Sequence, residues 1–194
     1  MASVGDKVCV LPVGDVATVS RIEHGSVDIG TSSSSASATS VASEKMDQER
    51  RKVAIAGDSV ELVLAGIDIA RITVGNILSD AAPGLRPEMK KKFLAKIIIM
   101  EELTVPLIRG SQLLLHMHCL DTPAVISKII SKVDKKNGSA VPNPRVVTDG
   151  CTATVEIKLM EKLCVEAFGE CRALGRFVLR RSGDTVAVGI IESI

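Results

Sequence analysis

Short stretches in which apolar and polar residues alternate, separated by turn residues, run through most of this sequence. Residues 59–64 (SVELVL) and 151–159 (CTATVEIKL) show the alternation most clearly. Because successive side chains of a β-strand point to opposite faces, this alternation predicts strands with one buried face. Many short strands separated by turns are typical of all-β barrels and sandwiches. We therefore expect an all-β chain built of two small antiparallel β-barrels in tandem.

The scarcity of aromatic residues restricts both the core and the ligands. The 194 residues include three Phe, no Tyr and no Trp, while 46% are hydrophobic. The core must therefore be aliphatic, and stacking platforms for single-stranded nucleic acid are nearly excluded. The longest apolar runs, such as 97–100 and 113–115, fall far short of the roughly 18 residues of a membrane span. Residues 1–7 also lack the apolar core of a secretion signal, so we expect a cytoplasmic protein with no membrane partner.

The cysteines and histidines do not form a recognisable metal or redox motif. No Cys-x-x-Cys pair occurs among the five cysteines, which favours a reducing compartment. Apolar neighbours of Cys9 and Cys164 suggest that the cysteines are buried small hydrophobic groups. His116 and His118 alternate within a predicted strand and so share one face, but no third ligand lies near them. We predict no metal site and a structural or surface role for both histidines.

Two breaks in the pattern predict the domain organisation. Seven of the thirteen residues in 31–43 are serine, a composition that cannot bury enough apolar surface to offset the entropy of ordering, so 25–51 is expected to be a disordered loop. Residues 83–92 combine Pro-Gly with a lysine run and are expected to be a linker. The expected domains are 1–82 and 93–194.

Two segments with helical spacing remain ambiguous. Ile126, Ile129, Ile130 and Val133 are three or four residues apart, but their β-rich surroundings favour a strand. For residues 170–175 we expect a turn or a single helical turn.

No catalytic pattern is present. The sequence contains neither Gly-x-x-x-x-Gly-Lys-Ser/Thr, nor Gly-x-Gly-x-x-Gly, nor Gly-x-Ser-x-Gly. The residues therefore predict a binding module with no catalytic residues, and not an enzyme.

Several ordered segments together resemble one family. Residues 174–191 (LGRFVLRRSGDTVAVGII) resemble the last hairpin of translational GTPases of the elongation factor 1-alpha family, while 54–62 (AIAGDSVEL) resembles part of the family's second domain and 134–138 (DKKNG) part of its third. The segments 67–72 (IDIARI) and 120–126 (LDTPAVI) are most similar to the branch of HBS-like ribosome-rescue GTPases, the partners of Pelota.

The resemblance implies a fold and a function. The implied fold is domain II, lacking its first strands, followed by the Greek-key barrel of domain III. The GTP-binding domain of the family is absent from this sequence, so GTP and Mg are not expected to bind here, and we expect the chain to be a C-terminal fragment. The implied function is to hold a transfer-RNA-shaped Pelota-type factor and deliver it to stalled ribosomes during mRNA surveillance.

Two alternatives within the family remain open. A class-II release factor GTPase shares the Gly-Arg-Phe hairpin, although its pattern has an acidic residue where Arg181 stands. An aminoacyl-transfer-RNA carrier like elongation factor 1-alpha is the other, because residues 84–194 hold 17 basic and 12 acidic side chains and basic surfaces favour phosphate contacts. The ribosome is an expected partner in each case.

The resemblance also implies a partner-binding hairpin. Carried over from the release factor, the candidate residues are Gly175, Arg176, Phe177, Leu179 and Arg180. A guanidinium offers forked hydrogen bonds to carboxylates, and an exposed Phe can anchor an interface. The alternative is that Phe177 belongs to the core and Arg176 only closes the hairpin. The sequence leaves both possibilities open.

Overall fold

A computed structural model of the chain describes residues 1–24, 52–82, 84, 86–101, 103, 105–134 and 138–194. The expected loop 25–51 lies outside the described residues. Fifteen strands are found in the described part: β1 Ala2–Ser3, β2 Lys7–Leu11, β3 Asp15–His24, β4 Val53–Ala54, β5 Val60–Ala65, β6 Ile77–Asp80, β7 Met89–Ile99, β8 Leu107–Ile108, β9 Gln112–Met117, β10 Leu120–Asp134, β11 Ala140–Pro142, β12 Val146–Val147, β13 Cys151–Cys164, β14 Arg176–Arg181 and β15 Asp184–Ser193.

The chain divides into two compact units. One comprises Met1–Ile72 with Leu78–Arg86, and the other Thr73–Ile77 with Pro87–Ile194. Strand β7 begins at Met89, inside the segment 83–92 expected to be a linker. Its first residues are strand because Met89 and Lys90 pair with Cys164 and Leu163 of β13.

The smaller unit contains a four-stranded sheet in the order β5-β3-β2-β6. Strands β1 and β4 form a separate antiparallel pair. The core of the smaller unit is formed by Val19 and Ile22 of β3 together with Ala54 of β4. The strands that the structure describes in this unit form an open sheet.

The larger unit is a closed barrel of six antiparallel strands. The order is β9-β10-β13-β7-β15-β14, and β9 pairs with both β10 and β14 to close the ring. The hairpin β14–β15 is inserted between β7 and β9. Alternate residues of each strand point inward, such as Phe93, Ala95 and Ile97 of β7. The all-β prediction is confirmed, and the only helical element among the described residues is one 3-10 turn at Ile69–Arg71.

Two β-bulges explain the helical spacing in β10. The register against β13 shifts between Ile126 and Lys128, and again between Ile129 and Ser131. Each bulge adds one residue to one strand and reverses which side chains face inward. Ile126 and Ile129, three residues apart, are therefore both buried within a strand. The prediction of a strand is confirmed, and 170–175 forms turns.

The described part of the chain includes no helix with the length and hydropathy needed to cross a lipid bilayer.

Candidate partner-binding surface

The candidate residues of the hairpin divide between the two faces of the barrel wall. Phe177 and Leu179 point inward, with 3% and 0% of their surface exposed. Arg176 is exposed on the outer face and Arg180 is half-buried. This division follows from the two-residue period of a strand. Any contact between β14 and a partner therefore uses the outward side chains.

Phe177 is a core residue. Its ring packs edge-on against Phe93, with ring centroids 5.7 Å apart, and it pairs with Gly189 across the hairpin. A Cβ at Gly189 would lie 2.6 Å from Phe177 Cζ, so the ring fills the space that a side chain would need. Of the two possibilities that the sequence left open, the core one holds for Phe177. Leu179 is likewise part of the core, with 0% of its surface exposed.

Gly175 allows a loop to pack against the start of β14. A Cβ at this position would lie 2.4 Å from Phe168 Cα and 3.0 Å from the carbonyl oxygen of Cys171. Two backbone bonds hold the contact: Phe168 N–H donates to Ile191 O at 2.9 Å, and Ile191 N–H donates to Gly175 O at 2.8 Å. Gly175 is thus buried, and its role is to position Phe168.

The three arginines of β14 differ in what they contact. Arg180 donates from Nε to the carbonyl oxygen of Gly183 at 3.1 Å, closing its own hairpin turn. Arg181 donates from Nη1 to the carbonyl oxygen of Val105 at 3.0 Å. Neither Arg176 nor the nearby Lys96 forms an ion pair with a carboxylate of the described residues. Arg176 is therefore the arginine with a guanidinium available to a partner.

Arg176 lies on a groove in the outer face of the barrel, which we call the outer groove. Its volume is about 810 Å³. It is lined by Lys96, Ile98, His116, His118, Thr152, Phe168, Ala173, Arg176, Phe177, Val178, Val188, Gly189 and Ile190.

Strand register sets these side chains in two parallel rows. Ile98, Val188 and Val178 are direct neighbours on β7, β15 and β14. The row continues to Thr152 on one side and to His116 on the other. Ile98 is 42% and Val188 is 37% exposed, so this row presents apolar surface to solvent.

The second row carries the positive charge. Lys96 of β7 pairs with Ile190 of β15, and Ile190 pairs with Arg176 of β14. The two cations therefore flank one apolar side chain. The described residues that line the groove include no aspartate or glutamate.

Both histidines named from the sequence line this groove. His116 lies on β9, and its Nδ1 contacts Oδ1 of Asp121 on β10; its Nε2 is buried without a hydrogen-bond partner. His118 lies beyond the end of β9, with φ +53°. Burial, followed by the positive charge of Arg176, lowers the pKa of His118 below its usual value.

No group of three or more His, Cys, Asp or Glu that could hold a metal occurs among the described residues. The described part contains no α-helix either, so it has no loop-and-helix cradle of the kind that binds nucleotide phosphates. The cysteines depart in one respect from expectation, because Cys119 is exposed, while Cys9, Cys151 and Cys164 are buried.

Sequence reasoning missed the apolar part of the groove. Ile98 stands between the inward Ile97 and Ile99, at a position where alternation calls for a polar side chain. Val188 likewise faces outward on β15. An apolar residue at an outward position of an alternating strand was the available signal.

Comparison with known proteins agrees with the fold. A family model described as GTP-eEF1A C-terminal domain-like matches residues 92–192. Protein HBS1 of Drosophila melanogaster is 34% identical over 155 residues, 79% of this chain and 23% of that protein. Elongation factor 1-alpha of Saccharolobus solfataricus is 31% identical over 192 residues, 98% of this chain and 38% of that protein. The chain thus spans well under half the length of these relatives.

A solved structure with the same fold is that of Sup35 complexed with GDP. It is 26% identical, superposes with a TM-score of 0.77, and the match covers 100% of this chain and 41% of that one. The family model spans more than half of the chain, including the strands of the closed barrel except the first residues of β7 and the last residue of β15. The chain therefore belongs to the GTP-eEF1A C-terminal domain-like family of translational GTPases.

Proposed function

We propose that this chain is the C-terminal, partner-binding part of a cytoplasmic translational GTPase that delivers a Pelota-type factor to stalled ribosomes. In this proposal GTP and Mg bind to a separate G domain, and the chain itself is not an enzyme. The relation to Protein HBS1 of Drosophila melanogaster supports this branch of the family.

The outer groove is the observation that carries the proposal. It combines exposed Ile98 and Val188 with the cations Lys96 and Arg176, and it has no carboxylate among its described lining residues. An exposed apolar patch with a polar rim is typical of a protein-binding surface. Ile98 and Val188 are direct cross-strand neighbours, so they form a continuous apolar patch and are not isolated exposed residues.

Binding of a Pelota-type factor to the chain, measured by titration calorimetry, tests the proposal. We expect saturable binding that Arg176→Glu weakens at least roughly tenfold, because the substitution removes one cation of the groove and adds a repulsive charge. Arg180→Glu should have a smaller effect, since Arg180 is engaged with the turn. A chain that retains no Pelota-type factor would contradict the proposal.

An aminoacyl-transfer-RNA carrier remains the second candidate because of one feature. Lys92 and Lys158 lie directly opposite each other on β7 and β13 and are both exposed. Like charges in this position are unfavourable unless an anion bridges them. Binding of transfer RNA with an affinity that falls steeply with salt would favour this candidate, and loss of that binding in Lys158→Gln would assign it to the lysine pair.

The release-factor alternative differs at residue 181. The pattern of that branch has an acidic residue there, whereas Arg181 of this chain donates a hydrogen bond to Val105 O. An acidic side chain could not make that contact. We therefore favour the Pelota-type factor over a class-II release factor as the partner, and a direct comparison of the two factors in the same titration tests the preference.

A further inference from the structure

We infer that the outer groove binds a segment of the partner protein in which an apolar side chain lies between two carboxylates. The inference rests on the proposed function for the identity of the partner. It goes beyond that function by naming the chemistry of the segment and the residues that select it.

The floor of the groove selects the apolar side chain. Ile98, Val188 and Val178 form one continuous row across three strands, and Ile190 lies in the adjacent row. Covering this surface removes apolar area from water, which favours binding. Phosphate groups of a nucleic acid would make no apolar contact with these side chains. The floor therefore favours a protein segment over RNA.

The two cations select the carboxylates. Lys96 and Arg176 lie on either side of Ile190 in one row. Their Cα atoms are about 10 Å apart, which is two strand spacings. The carboxylate of Asp121 contacts Nδ1 of His116, which lines the groove. Neither cation has an acidic partner among the described residues, and both lie at the edge of the apolar floor. They are therefore complementary to a segment with an apolar side chain between two acidic side chains.

Phe168 closes one end of the groove. Its ring is half-buried and lines the groove, and its backbone is fixed by the close approach to Gly175. A packed backbone contact therefore fixes the position of this lining residue.

Short synthetic peptides test the inference directly. The first probe is an acidic–apolar peptide built on Asp-Leu-Asp, and its matched controls are built on Lys-Leu-Lys and Asp-Ser-Asp. Binding is followed by NMR of the isotope-labelled full chain. We expect the acidic–apolar peptide to shift the signals of Ile98, Val178 and Val188. Both control peptides should bind at least about tenfold more weakly. Equal binding of the Lys-Leu-Lys peptide, or shifts confined to other surfaces, would overturn the inference.

A matched pair of variants assigns the charge selection. Lys96 and Lys92 are both exposed lysines on the same face of β7, but only Lys96 lines the groove. Lys96→Glu should abolish the preference for the acidic peptide, while Lys92→Glu should keep it. Preserved amide dispersion in both variants shows that the barrel is folded. If both variants lost the preference for the acidic peptide equally, the preference would come from the overall charge of the surface and not from Lys96. That result would overturn the assignment.

Two further probes separate this inference from the proposed function. If the acidic–apolar peptide binds the groove and the Pelota-type factor does not bind the chain, the inference stands and the proposed function fails. If the Pelota-type factor binds equally to wild type and to Lys96→Glu, the groove is not its site and the inference fails. A single-stranded oligoribonucleotide that shifts the same groove signals more strongly than the peptide would also overturn it.

Discussion

Phe177 and Gly189 face each other across the β14–β15 hairpin, and the phenyl ring occupies the space where a side chain at 189 would stand. The pair fixes which side chains of the hairpin face outward. With Phe177 held inside the barrel, Arg176 and Val178 necessarily lie on the outer face, next to Ile190 and Val188. The composition of the outer groove is therefore a consequence of this core contact.

Adding a methyl group at Gly189 should destabilise the barrel. The new Cβ would lie 2.6 Å from Phe177 Cζ and 2.9 Å from Ile97 Cγ2, so both buried side chains must move. We expect Gly189→Ala to lower the free energy of unfolding by about 1–3 kcal/mol, measured by urea denaturation. Gly169→Ala is the matched control, because nothing lies within 4 Å of its added Cβ. Similar losses in both variants would contradict the tight fit.

Removing the ring of Phe177 should cost stability. We expect Phe177→Ala to lower the free energy of unfolding by about 3–5 kcal/mol, because a buried phenyl group leaves a cavity. Val178→Ala, one residue along the same strand but on the outer face, should change it by well under half as much. If Phe177→Ala leaves the unfolding curve unchanged and only weakens partner binding, Phe177 is an exposed anchor and its placement in the core is wrong.

Substitution of Gly175 should act on the groove through Phe168. A Cβ there would lie 2.4 Å from Phe168 Cα, and backbone cannot yield as a flexible side chain can. We expect Gly175→Ala to lower stability by about 1–3 kcal/mol and to shift the NMR signals of the Phe168 ring. Unchanged Phe168 signals would show that the loop does not depend on this glycine.

The titration of His118 reports on Arg176. Burial, together with the positive charge of Arg176, lowers the pKa of His118. We expect Arg176→Gln to raise this pKa towards the ordinary value of about 6.5, measured from the imidazole NMR shifts. Arg180→Gln is the control, since Arg180 bonds to the hairpin turn instead. A pKa that moves equally in both variants would contradict the pairing of His118 with Arg176.

The same shift predicts how stability depends on pH. The folded pKa of His118 lies below the unfolded value, so the unfolded chain takes up its proton first as the pH falls. The contribution of His118 is therefore complete above the unfolded pKa of about 6.5 and is lost progressively as the pH falls through the interval down to the folded pKa. Above that interval, the free energies of unfolding of wild type and His118→Asn should change with pH in the same way. Within the interval, that of wild type should fall more steeply as the pH is lowered.

Alternation of apolar and polar residues was sufficient to predict the strands of the barrel, because each strand has one face in the core. Strand β13 follows the pattern without a break over Cys151–Leu159. Alternation did not predict which residues of β10 face inward, because the bulge between Ile126 and Lys128 brings Ile126 and Ile129 to the same side. Bulges depend on the partner strand, and a single sequence does not show which strands pair.

The candidate site was predicted less completely. The hairpin and Arg176 followed from the resemblance, but the sequence could not decide whether Phe177 faces in or out. That depends on the register that sets Phe177 opposite Gly189. Lys96 and Ile98 lie some eighty residues from the hairpin in the sequence and join it only because β15 pairs with β7.

Methyl NMR of the chain with a Pelota-type factor tests the central claim most directly. Ile98 and Ile190 line the outer groove, whereas the exposed Ile108 lies on β8, outside the barrel ring and away from the groove. If the groove binds the factor, the methyl signals of Ile98 and Ile190 shift on titration and that of Ile108 does not. Unchanged signals from Ile98 and Ile190 in a chain that binds the factor would contradict the account.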